Sequence, residues 1–410
     1  MTPDGTPRLG RTILLTAGVG GGHLRAAQAV EQAIRLGASE GRWQVESLEL
    51  VDVLDHACSP FRAAYRDGYL GLIRHAPTLL GWLYERSDVP WRGRRLRSVV
   101  NRACLGRLRA HLRRQPPAHV ISTHFLASEF VADLRTRGEL SCALSTVVTD
   151  MDVHGLWFTA PCERYFVATE EACEILAAGG VQRDRVQVTG IPIDPRFERL
   201  PARREARDAL GLPQDRPVVV FASGGAGTGR LEAIFEALLR VECAAHVVAI
   251  CGRNEQATRA LEACLTQARP RCGFTAQVMG FTDRMHEWMA AADLLVGKPG
   301  GLTSSEARAA GLPILIVDPV PGQEEHNAAH LLEWGVAARA SSLATLSWRV
   351  SRMLADTTAL SDMRQRALRL ARPSSAREVA ASVAAMAVGA TAGPEERAAA
   401  AASLRLCASV

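Results

Sequence analysis

Short apolar runs alternate with longer amphipathic stretches along most of the chain. Thr12–Thr16, Trp43–Leu48, His119–Thr123, Ala143–Thr149, Tyr165–Ala168 and Val186–Thr189 have the length and composition of buried strands. Helical stretches such as Leu24 to about Leu36 fall between them. The pattern restarts at Val218–Ala222 and runs on through Ala245–Cys251, Ala276–Met279, Ala292–Val296 and Pro313–Val317. This alternation predicts an α/β protein with two Rossmann-like, doubly wound parallel sheets. Five prolines (192, 195, 201, 213 and 217) crowd between the two series and predict a linker over 196–217. The expected domains are therefore 1–195 and 218–372, with a terminal helix and tail over 373–410. A chain of 410 residues is too long for one typical core, which agrees with two.

The most informative stretch is 297–327, GKPGGLTSSEARAAGLPILIVDPVPGQEEHN. It predicts a glycine turn, a helix over Leu302–Ala310, a strand and a polar loop. Gly300 and Gly301 allow a tight turn and a close approach to a ligand. Thr303, Ser304 and Ser305 are capping candidates for the helix, whose free N–H groups would suit a phosphate. Glu306 is expected in the first turn, where its carboxylate could accept both hydroxyls of a ribose. Gln323, Glu324 and Asn327 bring amide and carboxylate groups to the same rim, since ligands of parallel sheets bind at the carboxyl ends of the strands. A diphosphate, a ribose and a second polyol describe a nucleotide-sugar. An ordinary βαβ unit would need only the glycines. The joint spacing favours a ligand site.

Other loops add candidates. Thr12–Thr16 is followed by Ala17–Gly22, a glycine turn without the Gly-Lys-Ser/Thr of a Walker loop, and then by His23 at the mouth of a helix. Two readings of His23 stay open, a capping residue and a positioned general base. A second glycine loop, with Gly225, Gly227 and Thr228, could seat a phosphate. Arg253 follows the next strand, and Phe281 and Thr282 the one after. Phe281 could lie against a base or belong to the core.

Charge is uneven. The formal net charge is only +5, yet nine arginines and no acidic residue lie between Trp91 and Arg114. Arg92, Arg94, Arg95 and Arg97 follow an aromatic segment that contains Trp82 and Tyr84. Such basic and aromatic helices can lie on an anionic bilayer. They can also be a solvated face, the usual fate of a charge run, but the one-sided sign favours the membrane surface. No nucleic-acid recognition motif accompanies them, so no nucleic-acid partner is expected. Ten cysteines without a CxxC pair or Cys/His metal spacing point to reduced thiols, hence to the cytoplasm and no metal site. No run reaches membrane-spanning length, and the first residues lack a signal-peptide core.

GVGGGHLRAAQAV, TDMDVHGLWF, VTGIPIDPRF, CGRNE, GFTDRMHEWMAAADLLVGKPGGLTSSEA and PGQEEHNA occur in this order. Together they resemble the monogalactosyldiacylglycerol synthase and processive diacylglycerol glucosyltransferase group of glycosyltransferase family 28, over roughly Thr12 to Ala371. The resemblance implies a GT-B fold, with the acceptor domain first, the UDP-sugar domain second and a cleft between them. It implies inverting, metal-independent transfer of glucose or galactose from a UDP-sugar to diacylglycerol, with no cofactor, by a cytoplasmic protein peripheral to the inner face of the membrane. His23 corresponds to the base, Glu306 to the ribose ligand, and Gln323, Glu324 and Asn327 to the sugar-reading motif. Gly301, Leu302 and Thr303 fall at the diphosphate, and Phe281 beside the uracil. SGGAGTG and STHF depart from the family's usual loops, which leaves the acceptor open. A lipid-linked peptidoglycan precursor, a small molecule, or a UDP-sugar epimerase reaction are the alternatives.

Overall fold

A computed structural model describes residues 6–222, 230–269 and 273–389. The chain divides into two compact units. One comprises 1–69, 83–195 and 373–410, and the other 70–82 and 196–372.

The first unit holds strands β1 (Arg8–Thr16), β2 (Gln44–Asp52), β3 (His119–Ser122), β4 (Ala143–Val147), β5 (Arg164–Val167) and β6 (Val186–Val188). They form one parallel sheet in the order β2-β1-β3-β4-β5-β6. A sheet covered on both faces needs apolar residues at every position. Strand Val218–Ala222 of the other unit obeys, with every residue apolar and buried; β3 is buried throughout but carries the polar His119 and Ser122, and β2 at the edge stays largely open to water. Helix Gly22–Ser39 turns Ala26, Ala27, Val30, Ala33 and Ile34 to the sheet. Small residues let it approach closely: a Cβ on Gly37 would lie 2.0 Å from the Trp43 ring, whose Nε1–H donates to the Ile34 carbonyl at 2.9 Å.

The chain then runs from β2 to β3 through four helices, Ser59–His75, Pro77–Ser87, Arg94–Cys104 and Gly106–Arg114. The arginine run lies on the last two and on the turn before them. Four of its members face acids or carbonyls of this same unit. Arg97 donates to both Glu129 oxygens (3.1 and 3.0 Å), Arg102 to Asp133 (2.8 Å) and Arg109 to Glu139 (2.6 Å). Arg94 donates to the Ala160 carbonyl. Arg94 and Arg97 are therefore structural, which corrects their expected place on an outward membrane face. The acids that neutralise them sit about thirty residues away and only the fold brings them in.

The second unit repeats the plan with β7 (Val218–Ala222), β8 (Ala245–Ile250), β9 (Phe274–Met279), β10 (Leu294–Gly297), β11 (Ile314–Ile316) and β12 (Ala337–Arg339). All pairs are parallel, in the order β12-β11-β10-β7-β8-β9. Residues 196–217, expected as a linker, contain helix Arg203–Leu210 and fall within this unit. Among the described residues no helix is long and apolar enough to cross a membrane.

The last described helix, Ser375–Gly389, returns to the first unit. Ala376, Val379, Ala380 and Val383 recur at helical spacing, are fully buried, and pack with Leu14, Val30 and Ile34. The Ser375 hydroxyl donates to the Ile191 carbonyl at 2.8 Å, and Arg377 pairs with Glu40. Placing a carboxylate in this seam leaves a buried charge without a partner. Val383→Asp should therefore lower stability by about 3–5 kcal/mol. Urea denaturation of the full chain checks this, and an unmoved first transition would remove the helix from the core.

Candidate functional site

Each sheet reverses its winding once, and the crevice at that point is where its ligand loops open. In the first unit the reversal falls between β1 and β3. The loop after β1 turns sharply because the Gly18 N–H donates to Asp52 Oδ2 at 3.0 Å; a Cβ there would meet the same oxygen at 2.4 Å. Gly20, at φ +82°, completes the turn and delivers His23 to the start of helix Gly22–Ser39.

His23 is held by residues that follow the neighbouring strands. Its Nδ1 lies 3.0 Å from the Thr123 carbonyl after β3 and 2.7 Å from Thr149 Oγ1 after β4. The Thr123 hydroxyl donates to the His23 carbonyl at 3.0 Å. A backbone carbonyl only accepts, so Nδ1 carries the proton and Nε2 the lone pair. Burial pushes the ring's pKa down to about 4 against the smaller opposing effect of the Thr123 bond. A neutral imidazole with its lone pair on Nε2 has the form a general base requires at pH 7. This geometry favours the base over the capping role for His23, whose helix has no side-chain cap at its start.

Around it stand aromatic rings. His124 meets His23 edge-on with centroids 4.6 Å apart, and Trp157 lies at 6.3 Å. Phe125, Tyr65 and Phe61 continue the series. His124 is of the opposite tautomer: its Nδ1 accepts the Leu126 N–H at 3.1 Å and caps the helix Phe125–Thr136. Thr123, Thr149 and His124 were not singled out from sequence. The signal was a polar residue directly after each buried strand.

Tyr84, expected on the outward lipid-facing surface, faces inward instead. Its ring packs on His154 at 4.2 Å, and its carbonyl lies 2.9 Å from His154 Nε2. The stripe that does face water is Leu96, Val99 and Val100, at 72%, 55% and 42% exposure, with Trp82 at 52% on the preceding helix. Arg92 and Arg95 are exposed beside it.

In the second unit the reversal lies between β7 and β10. These strands approach closely: a Cβ on Gly297 would sit 3.0 Å from the Ala222 carbonyl oxygen. Gly225, Gly227 and Thr228, in the loop after β7, lie outside the described residues. The loops after β8 and β9 form a cleft of about 560 Å3 lined by Gly252, Arg253, Gly280 and Phe281. The Arg253 guanidinium lies 4.7 Å over the exposed Phe281 ring, so Phe281 is a platform and not core. Thr282 accepts the Arg284 N–H at 3.0 Å and fixes that loop.

After β10 the helix runs Gly301–Ala309 with Gly300 as its N-cap. No side chain caps it, so Thr303, Ser304 and Ser305 do not do so; Ser305 donates back to the Gly301 carbonyl at 2.9 Å. The first-turn N–H groups of Gly301, Leu302 and Thr303 are the ones a helix leaves for a ligand. Glu306 lies one turn deeper than expected and is 2% exposed. After β11, Asp318 (φ +49°) and Gly322 (φ +90°) fold the loop back, and Asp318 pairs with Arg230 at 2.9 Å. Left-handed backbone at a non-glycine residue is a strain that functional loops hold. Gln323 and Glu324 open helix Gln323–Glu333, and Asn327 is fully buried within it. Glu324 accepts the Val320 N–H at 2.6 Å, and burial raises its carboxyl pKa.

Two doubly wound parallel sheets with loops of this kind at their switch points define the GT-B glycosyltransferase fold. In sequence, two successive parts of the chain are similar to glycosyltransferase families. Residues 23–193 match the monogalactosyldiacylglycerol (MGDG) synthase family, and residues 218–384 match the glycosyltransferase family 28 C-terminal domain. A processive diacylglycerol beta-glucosyltransferase of Staphylococcus saprophyticus is 33% identical over 198 residues, covering 48% of this chain and 49% of that protein. A probable chloroplastic monogalactosyldiacylglycerol synthase of Glycine max is 29% identical over 380 residues, covering 88% and 69%. The chain thus spans about half the length of the processive glucosyltransferases it matches. Among solved structures, Acinetobacter baumannii MurG aligns at TM-score 0.56 with 14% identity over 92% of this chain and 99% of that one. A Neisseria meningitidis UDP-GlcNAc 2-epimerase bound to UDP-GlcNAc aligns at 0.54 with 12% identity over 91% and 99%. At that identity both share the fold alone.

The folded pKa of His23 lies below that of the unfolded chain. Its neutral ring therefore contributes stability that is complete above about pH 6.5 and is lost as pH falls toward 4. His119, pushed down to about 4 by burial, and His124, also lowered by burial, act in the same direction. Imidazole 15N NMR at pH 6 should show His23 as the Nδ1–H tautomer. An imidazolium signal with its midpoint near 6.5 would contradict the assignment.

Proposed function

We propose that this protein is an inverting glycosyltransferase that moves a hexose, glucose or galactose, from a UDP-sugar to diacylglycerol. The observation that carries the mechanism is the tautomer of His23. Nε2 takes the acceptor's hydroxyl proton as that oxygen bonds to the anomeric carbon. The bond from the anomeric carbon to the β-phosphate oxygen breaks, and UDP leaves with the electron pair. Attack opposite the leaving group inverts the centre. The helix terminus at Gly301–Thr303 supplies fixed N–H dipoles to the charge that develops on the diphosphate. Glu306 takes the ribose hydroxyls, Gln323, Glu324 and Asn327 the sugar, and Phe281 with Arg253 the uracil. The two family matches support this distribution of roles.

The acceptor is a lipid, and the exposed stripe Leu96, Val99 and Val100 supports docking on an anionic membrane from the cytoplasmic side. Each exposed arginine near such a surface contributes on the order of 1 kcal/mol, which salt screens, while the apolar stripe holds without it. An epimerase acting on a soluble UDP-sugar has no need of that stripe, and its turnover would not depend on lipid.

Separating base from donor site tests the roles. His23→Ala should abolish transfer to diacylglycerol while UDP affinity stays within about twofold. Glu306→Ala should weaken UDP binding by roughly 2–4 kcal/mol, the scale of lost charge-assisted hydrogen bonds. Calorimetry and a lipid-product assay read the two independently. Near-normal turnover in His23→Ala sinks the base, and unchanged UDP affinity in Glu306→Ala sinks the ribose role.

Cosedimentation tests the docking. Because Arg94 and Arg97 are structural, the variant combines Arg92→Glu, Arg95→Glu, Leu96→Ser and Val99→Ser. It should lose vesicle binding and lipid-dependent turnover together and keep its UDP affinity. Equal sedimentation of variant and wild type would leave the stripe a solvated face.

A further inference from the structure

The second sheet carries a cavity at the opposite end from its ligand loops. It lies beneath the starts of β7 and β10, about 15 Å along the strands from their carboxyl ends. Its volume is about 400 Å3, and four arginines line it: 203, 207, 216 and 364. Among the described residues Asp215 and Asp293 are the acids of its lining, so the wall carries 4 − 2 = 2 surplus positive charges.

The ion pairs do not use these arginines equally. Asp293 accepts from Arg203 at 2.8 Å on one oxygen and from Arg207 on the other, and also takes the Val218 N–H at 2.8 Å. Asp215 is bound twice by Arg216, at 3.0 and 2.8 Å. Arg207 spends its other N–H groups on the Ala291 and Arg216 carbonyls. That one buried arginine ties helix Arg203–Leu210 to the sheet. Arg364 and part of the Arg203 fork are left over. The Arg203 Nε is buried and has no partner among the described residues. Arg364 makes one long bond, from Nη2 to the Ala292 carbonyl at 3.3 Å. Burial, and then Arg203 beside it, push the Arg364 guanidinium down to about 10. Half-buried cations that share a single carboxylate, Asp293, are incompletely neutralised, and a bound anion would offset that cost. The hydroxyls of Thr357 and Ser361 lie in the same wall.

We propose that this cavity binds a phosphate dianion, either inorganic phosphate or the end of a phosphomonoester. Two guanidinium forks with unused N–H groups match the tetrahedral oxygens of phosphate, and the surplus of two charges matches its charge near pH 7. A volume several times that of phosphate leaves room for an ester substituent. The site is remote from the proposed diphosphate position and stands independently of the donor reading.

Calorimetry on the full chain tests it, with inorganic phosphate and glycerol 3-phosphate titrated in the presence and absence of excess UDP. Saturable binding that UDP does not displace is expected, weakened about tenfold or more by Arg364→Gln and likewise by Arg203→Gln. Arg364→Lys, which keeps the charge but not the fork, should fall between. Circular dichroism and unchanged UDP titrations establish that each variant is folded. Binding of both anions supports a monoester ligand, and exclusion of the ester supports the free anion. Absence of saturable binding by the wild type, or binding that UDP displaces and the substitutions leave unchanged, would overturn the proposal.

Discussion

One hydrogen bond sets the chemistry available to the first unit. The His23 Nδ1–H is directed at the Thr123 carbonyl, 3.0 Å away, and that contact exists because β1 and β3 are neighbours in the sheet. The strand order brings the ends of two strands, more than a hundred residues apart in the chain, to one crevice. A carbonyl cannot donate, so the contact fixes the tautomer as well as the ring's position. Thr149, after the next strand, holds the ring in place as well. In the proposed role as base, His23 needs no carboxylate partner, and burial keeps the ring neutral at pH 7.

The second unit meets the opposite requirement with the same architecture. A departing diphosphate needs positive potential that does not have to reorganise. In the proposed donor site, backbone N–H groups at a helix start without a side-chain cap supply it. The side chains assigned to the sugar and ribose are correspondingly buried, Glu306 and Asn327 most of all. In such surroundings hydrogen bonds to a ligand are stronger, and unmade ones more costly, than in water. The strained loop at Asp318 and Gly322 is held by the Arg230 ion pair on one side and by Glu324 on the other.

Much of this was legible in the sequence because fully covered parallel strands are written as unbroken apolar runs, as in Val218–Ala222. Glycine turns and the polar residues after each run marked the ligand loops. What sequence left open depended on partners distant in the chain. Nothing near His23 announces Thr123 or Thr149, and nothing near Arg97 announces Glu129. A charge run that looked outward was thus half structural. Local capping preference suggested Thr303 to Ser305, yet Gly300 caps the helix, because the turn after β10 leaves the backbone N–H groups uncovered. The proline-rich 196–217 stretch holds a helix because Arg207 ties it to Asp293 and Ala291, a tie no local pattern encodes.

The stereochemistry of the product tests the central claim most directly. The full chain would be incubated with UDP-glucose or UDP-galactose and vesicles of diacylglycerol in anionic phospholipid, and the lipid product examined by proton NMR. Direct displacement assisted by His23 predicts a β-linked hexosyl-diacylglycerol, with one UDP released for each sugar transferred. An α-linked product, or UDP-sugar consumed at the same rate without lipid, would contradict the account.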